Sequence, residues 1–291
     1  MFKSKFLSLK RLFTTVSLVL GLMLNANAES VEIDGLYYEF NTSARTATVT
    51  YQSTTTSNYS NLPADVVIPA LVTHNNVSFN VTAISDKAFA NCTALESISI
   101  PCTVTRIGST VDGGYSGSYL PFYNCSSLKS IRFEDGSEPL MLGVSYGGSY
   151  SYGLFHYCPL EEVYIGRNLN YADYSSSYPF SKYPQYYAYS AFYSNKDKLA
   201  KVTIGPLCTE LTDYLFYKNS AITLMALSNV NKIGNSTFEE CNKLTTLNLG
   251  NNLEKVSNRS FYNCTNITKL TFPASTTEIG NYAFYNCNSV T

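Results

Sequence analysis

From residue 89 onward the apolar positions of the chain fall in a fixed order. A phenylalanine recurs at Phe89, Phe122, Phe155, Phe192, Phe216, Phe238, Phe261 and Phe284, at spacings of 33, 33, 37, 24, 22, 23 and 23 residues. The base period is therefore 23, and three units carry insertions of 10, 10 and 14 residues. The phase inside a unit repeats as well. Phe261 is followed by Ile267, Leu270, Phe272 and Ile279, at offsets of 6, 9, 11 and 18, and Phe89 by Leu95, Ile98, Ile100 and Ile107 at the same offsets. Phe238 and Phe122 keep the same step, whereas the Phe192 unit runs one residue late and Leu160 arrives one residue early after Phe155. An apolar-x-apolar triplet predicts a short strand with one buried face. A 23-residue unit cannot bury that face alone, so stacked units must share a parallel sheet and a continuous core. The other half of each unit, as in Ile279-Gly280-Asn281-Tyr282-Ala283-Phe284, predicts a turn and a short helical segment whose Phe fills the space behind the sheet. Pro101 and Pro273 follow the strand, where no further ladder hydrogen bond is needed.

Ahead of the repeats, Val31–Phe40 and Arg45–Gln52 read as paired strands. The first 28 residues read differently. Lys3, Lys5, Lys10 and Arg11 precede an apolar run from Leu12 to Leu24, and Ala26-Asn27-Ala28 fits a small-x-small cleavage site. This is the pattern of a secretory signal peptide cut after Ala28. The run is too short for a bilayer, which takes roughly 20 residues. The expected organisation is a signal peptide at 1–28, a β-rich N-terminal region at 29–83, and repeats over 84–291, the last unit beginning at its Phe and stopping before its strand.

Composition narrows the partners. Removing the leader leaves 16 of the 20 Lys+Arg against all 21 Asp+Glu, a formal charge of −5. Nucleic acid and anionic membrane surfaces are poor partners for such a chain. Charged residues are 14% of the sequence, where roughly 25% is ordinary. Tyr, Ser, Thr and Asn solvate the surface instead.

The runs "IGNYAFYNCNSV" and "ISDKAFANCTALESISIPCTVTRIG" resemble the BspA-like, or Treponema pallidum-type, leucine-rich repeats. That family has a 23-residue unit with an Ile-Gly-x-x-Ala-Phe-x-x-Cys segment and a Leu-x-x-Ile-x-Ile-Pro strand. The resemblance covers about residues 84–291, and "VEIDGLYYEF", "ATVTY" and "VSFNVTAISDKAF" resemble the hairpin that leads into such arrays. It implies an α/β repeat solenoid, right-handed, with a parallel sheet on one face, short helical or 3-10 segments on the other, and an N-terminal β-hairpin cap. It also implies a secreted or cell-surface protein of adhesive function and no enzymatic activity. The chain departs from the family in its insertions and in where it stops.

Cys92, Cys125, Cys158, Cys241, Cys264 and Cys287 stand three residues after their Phe, and Asn195 and Asn219 fill that place in the other two units. Asn cannot form a disulfide but can bond to backbone at a turn, as a thiol does weakly. The shared role is a buried, turn-stabilising side chain; the alternative is bonding between neighbouring units, since stacking brings phase-matched cysteines together. Cys102 and Cys208 lie off phase. No C-x-x-C occurs, and His74 and His156 stand far apart, so no metal or other cofactor is expected. Nor does any Ser/His/Asp arrangement or phosphate loop suggest catalysis. Glu161-Glu162 and Glu239-Glu240 read as surface charge, and His156 as a solvent-exposed spacer.

The insertions read "STVDGGYSGSYLP", "GVSYGGSYSYG" and "NYADYSSSYPFSKYPQYYAYS", at about 110–120, 143–153 and 170–190. Thirteen of the 25 tyrosines lie between Gly143 and Tyr193. Antibody loops use the same Tyr, Ser and Gly mix, in which Tyr gives contact area at low entropic cost. Consecutive units at one phase set the insertions side by side. The candidate contact residues are Tyr115, Tyr119, Tyr146, Tyr150, Tyr152, Tyr171, Tyr174, Tyr178, Tyr183, Tyr186, Tyr187 and Tyr189. The expected partner is an extracellular protein, of host matrix or bacterial surface, or a glycan. The absence of Trp tilts this toward protein. A structural spacer without a specific ligand is the other reading.

Overall fold

The computed structural model describes residues 30–52, 59, 61–108, 111–112, 120–143, 145–146, 153–171 and 190–291. The strand predicted from the apolar-x-apolar triplet forms after Phe89, Phe122, Phe155, Phe192, Phe216 and Phe238 but not at Leu270–Phe272, and Asp65–Val67, ahead of the first repeat, adds one that was not expected. Asp65–Val67, Ser97–Ile100, Ser130–Phe133, Glu162–Arg167 and Lys201–Leu207 lie side by side in that order, all parallel. Register follows the sequence phase, with Val66, Ile98, Ile131, Val163 and Val202 aligned across the sheet. Their neighbours Ser99, Arg132, Tyr164 and Thr203 alternate onto the opposite face. We call this the front sheet.

Each unit also forms a second strand, at the offset-18 apolar residue, and this was not expected. Thr46–Thr50, Val77–Ile84, Arg106–Ile107, Leu140–Leu142 and Leu169–Tyr171 pair in parallel, so the array carries two sheets rather than one. A single apolar residue per unit predicts only a buried point. Once stacking brings Ile84 against Ile107, and later Ile233 against Val256 and Val256 against Ile279, β-branched neighbours pair as a ladder. The N-terminal region joins this second sheet through antiparallel Val31–Ile33 and Leu36–Asn41, with Leu71–His74 folded onto Val77–Ile84. The expected continuous strand Val31–Phe40 is split, because Asp34 and Gly35 both take positive φ, 50° and 80°, and make a two-residue hairpin turn.

Behind the sheets the chain is turn, not helix. Among the described residues the only helical element is the 3-10 helix Tyr193–Asn195. The reason is conformational. Two positions are left-handed in five of the units, and one in two more: Lys87, Tyr214, Ser236, Arg259 and Tyr282 two residues before the Phe, and Asn91, Asn124, Tyr157, Lys218, Glu240, Asn263 and Asn286 two after it. Left-handed residues four apart cannot belong to a right-handed helix. They turn alternate N–H groups toward the next unit instead. Tyr214, Phe216 and Lys218 donate to Asn235, Thr237 and Glu239, and Ser236, Phe238 and Glu240 to Asn258, Ser260 and Tyr262. The turn face therefore has its own inter-unit ladder, and its backbone groups are satisfied.

Between these faces runs one core. Tyr59, Phe89, Phe122, Phe155, Phe192, Phe216, Phe238, Phe261 and Phe284 stack in sequence with ring centroids 5.0–5.8 Å apart. All of the phenylalanines are buried except Phe284, which is half-buried. Arg167 is fully buried as well. Its guanidinium donates to the carbonyl oxygens of Cys102 (2.8 Å) and Pro101 (2.9 Å), two units away. It passes Gly136, where a Cβ would come within 2.9 Å of the Cys102 Cβ.

Candidate functional site

The insertions all leave the array at the end of a second strand and return just before the next Phe. Tyr115, Tyr119, Tyr150, Tyr152, Tyr174, Tyr178, Tyr183, Tyr186, Tyr187 and Tyr189 lie outside the described residues. Two points of contact are described. Val111–Asp112 in the first insertion pairs in parallel with Ser145–Tyr146 in the second, so these two insertions run shoulder to shoulder at their base. Tyr171, at the start of the third, packs against the core, and its hydroxyl accepts the Ala191 N–H at 3.2 Å. Burial pushes that phenol up to about 12. Tyr171 thus closes the base of its loop.

On the outward face of the front sheet, Arg132 lies 3.7 Å from the Tyr164 ring centroid, and the Tyr164 hydroxyl donates to Asp135 Oδ1 at 2.7 Å. Lys201 pairs with Glu162 at 2.6 Å, and Ser97 donates to Asp65 at 2.5 Å. This face is polar and charged, with Val67 exposed on it.

The eight cysteines are unbonded to one another. Each phase-matched thiol from the second unit onward donates to the carbonyl of the preceding unit's Phe: Cys125 to Phe89 (3.0 Å), Cys158 to Phe122 (2.9 Å), Cys241 to Phe216 (3.1 Å), Cys264 to Phe238 (3.0 Å) and Cys287 to Phe261 (3.1 Å). Where Asn stands instead, its amide does similar work. Asn195 Nδ2 donates to Cys158 O at 2.6 Å, and Asn219 Nδ2 to Leu199 O at 3.0 Å. Desolvation pushes the thiols of Cys92 and Cys208 up, to about 11 and about 12, and raises Cys241 and Cys264 too. These are protonated donors, not nucleophiles. Among the described residues no group of three His, Cys, Asp or Glu could hold a metal ion.

Two expectations about polar residues need correction. Glu239 is buried rather than a surface charge: Arg259 grips it through both Nε (2.9 Å) and Nη2 (2.5 Å), and Ser236 donates to it at 2.6 Å. His156 is no free spacer. It is half-buried, shares a hydrogen bond with Ser194 Oγ at 2.9 Å, and its ring sits 4.0 Å from that of Tyr157. Burial lowers its pKa.

His156 marks a cleft on the turn side that sequence reading missed. Ser126, His156, Tyr157, Pro159, Tyr193, Ser194 and Lys198 are among the residues that line about 490 Å³. Its lining includes the rings of His156, Tyr157 and Tyr193, and Tyr123 packs against the first two, stacked against His156 at 6.1 Å and edge-on to Tyr157 at 5.7 Å. The signal was present in the sequence: two residues after the Phe, where other units carry Asn, Lys, Glu or Ser, this unit carries Tyr157.

A model of the BspA type leucine rich repeat region matches the chain over residues 37–111, 82–185 and 180–291, in six copies. No curated protein matches it. Among solved structures, a leucine-rich repeat protein of T. pallidum is 16% identical over 90% of both chains, with a TM-score of 0.48. A leucine rich cell surface protein of Faecalibacterium prausnitzii is 19% identical over 90% of this chain and 75% of its own, with a TM-score of 0.39. A leucine-rich repeat protein of Bacteroides ovatus is 22% identical over 89% of this chain and 94% of its own, with a TM-score of 0.30.

Proposed function

The chain belongs to the BspA-type leucine-rich repeat family, and from that premise we propose that it is an extracellular adhesion module that binds a protein partner through its tyrosine-rich insertions. The observation that carries this reading is the pairing of Val111–Asp112 with Ser145–Tyr146, which supports one composite patch in place of separate loops. The scaffold below it is rigid by construction: strand ladders, turn hydrogen bonds and a ring stack join the units. Tyr-rich loops on a rigid frame place contact area where little entropy is lost on binding. The leader at 1–28 supports export and a secreted or cell-surface location. Among the described residues no helix is long and apolar enough to cross a membrane. The antiparallel strands before the first repeat would cap the core at that end, as the edge of a repeat array requires.

The test shortens residues 113–119, 147–152 and 172–189 to brief Gly-Ser links, leaving Leu120 and Tyr171 in place because both pack inward. Loop entropy changes by only about 0.6 kcal/mol per doubling of length, so the trimmed protein stays folded. It is expected to lose binding to whichever extracellular matrix protein the intact protein captures in surface plasmon resonance. Full retention of binding by the folded, trimmed protein would move the site to the front sheet, where Arg132, Tyr164 and Asp135 form the most developed cluster.

A further inference from the structure

We propose that the turn-side cleft between the Phe155 and Phe192 units is a binding site for a carboxylated pyranose, with the Tyr157 ring as stacking platform and the Lys198 ammonium as the carboxylate's partner. This site is separate from the insertions and takes a different ligand class.

The first observation is conformational. Tyr157 has φ +61°, in the left-handed region, and its side chain is 61% exposed. A bulky residue there is strained, and Asn tolerates the region far better. At the same position Asn91, Asn124, Asn263 and Asn286 adopt the same φ, and their side chains pair between units, Asn124 to Asn91 at 2.9 Å and Asn286 to Asn263 at 3.0 Å. Lys218 and Glu240 take the same backbone at this position, so the left-handed turn belongs to the repeat. What is particular to this unit is the side chain, an exposed aromatic ring beside a cleft where Asn would continue the inter-unit pairing.

The second observation is how the polar groups around the ring are committed. Lys196 pairs with Asp197 at 2.8 Å, and Asp197 also accepts from Ser220 at 2.7 Å. Asp197 is held low by these partners, Lys196 first. Among the described residues no acid pairs Lys198, so one cation of the lining remains for a ligand. Ser126 and Ser194 add hydroxyls at the rim. An aromatic face, one spare ammonium and hydroxyls around a cleft of about 490 Å³ fit one or two sugar rings. The polarised C–H face of a pyranose lies on the electron-rich ring face, its hydroxyls meet the serines, and its carboxylate meets Lys198. A peptide side chain would want a deeper apolar pocket than this rim offers.

The experiment titrates the full mature chain by calorimetry with a glucuronic-acid disaccharide, with sialyllactose, and with neutral lactose. At least one carboxylated sugar is expected to bind in the millimolar range and lactose about tenfold more weakly, a gap of about 1.4 kcal/mol. Tyr157→Asn is expected to abolish binding while melting no lower than the parent, because Asn suits the backbone and restores the ladder. Lys198→Ala is expected to erase the preference for acid over neutral sugar. Absence of binding by all three sugars overturns the proposal, and so does undiminished binding by Y157N. Should Y157N melt lower, the exposed change Lys198→Ala carries the same decision. Tyr157-dependent capture of a protein with no sugar response would also overturn it.

Discussion

At the scale of single residues, the cysteine of each unit is a hydrogen-bond donor placed where a thiol fits and a charged group would not. Its Sγ reaches the carbonyl of the previous Phe while that Phe stacks on the next, so two side chains three apart join the same pair of units. The interchange of Cys with Asn made this role legible in the sequence, since both can donate to a carbonyl at a turn. Arg167 was not legible. Nothing in a lone Arg after a strand announces that it is fully buried and forked onto Pro101 and Cys102 two units away. The buried thiols predict a pH dependence. Unfolded cysteine ionises near about 8.5, whereas in the fold Cys92 and Cys208 are pushed to about 11 and about 12 and Cys264 also upward, all mainly by desolvation. Because the folded values are raised, the folded state holds protons that the unfolded state has released. Stability is therefore whole below about pH 8.5 and falls as pH rises toward 11, at up to about 1.4 kcal/mol per unit per thiol. Urea midpoints should agree at pH 7 and 8 and drop steadily above 9. A midpoint constant to pH 10.5 would show the thiols are not buried donors.

Within one unit, three elements meet different amounts of sequence information. The front strand was legible in six units, because alternation of apolar and polar residues fixes its face, but the same triplet at Leu270–Phe272 forms no strand. The second strand was not, since one apolar residue such as Ile107 or Val256 has no period and becomes a strand only when stacked. The turn face was misread as helical, because Gly-x-x-Ala-Phe has neither Pro nor a run of β-branched residues to forbid a helix. What forbids it is the left-handed residue two after the Phe in seven of the eight units, joined by a second two before it in five. Asn at the position two after the Phe, in Asn91, Asn124, Asn263 and Asn286, was the available sign, as Asn is the non-glycine residue most at ease there. This reading has a direct test at Asn263, with φ +59° and a hydrogen bond from Asn286. Asn263→Ala is expected to cost about 1–2 kcal/mol, the penalty of a left-handed Ala together with a lost surface hydrogen bond. Asn263→Gly should cost less, because Gly takes positive φ without steric strain. Were the segment helical the order would reverse, with Ala the better residue. The denaturation midpoints of the two variants decide it.

Across the whole molecule, the two sheets break at neighbouring joints, one unit apart. The front sheet ends at Lys201–Leu207, and Leu224–Ala226 pairs only onward, with Thr246–Asn248. The second sheet ends at Leu169–Tyr171 and resumes at Glu210–Leu211, across the longest insertion. The ring stack is widest at the front-sheet break, 5.8 Å between Phe192 and Phe216. At each break one ladder continues, Glu162–Arg167 with Lys201–Leu207 where the second sheet stops and Glu210–Leu211 with Lys232–Ile233 where the front sheet stops, and side chains take the place of the other. Asn168 Oδ1 accepts the backbone N–H of Thr209 (2.8 Å) and of Glu210 (2.9 Å), and its Nδ2 donates to the Thr209 hydroxyl. Ser190 donates to Leu215 O, and Asn219 to Leu199 O. A linear array owes its cooperativity to the interfaces between neighbours, so its weakest joint sets whether it unfolds as one body. Removing Asn168 leaves two backbone donors to find other partners, a cost of about 1–3 kcal/mol for each one stranded away from water. Asn168→Ala should therefore lower the urea midpoint, with the amides of Thr209 and Glu210 becoming the fastest to exchange among those now bonded across this break. Asn252→Ala is the control, since Asn252 makes one exposed bond, to Ser228 O, inside the second block. It should leave one transition with its midpoint almost unmoved. If Asn168→Ala also unfolds at the parental midpoint, the front-strand pairing and the ring stack carry this joint and the side-chain stitching is incidental.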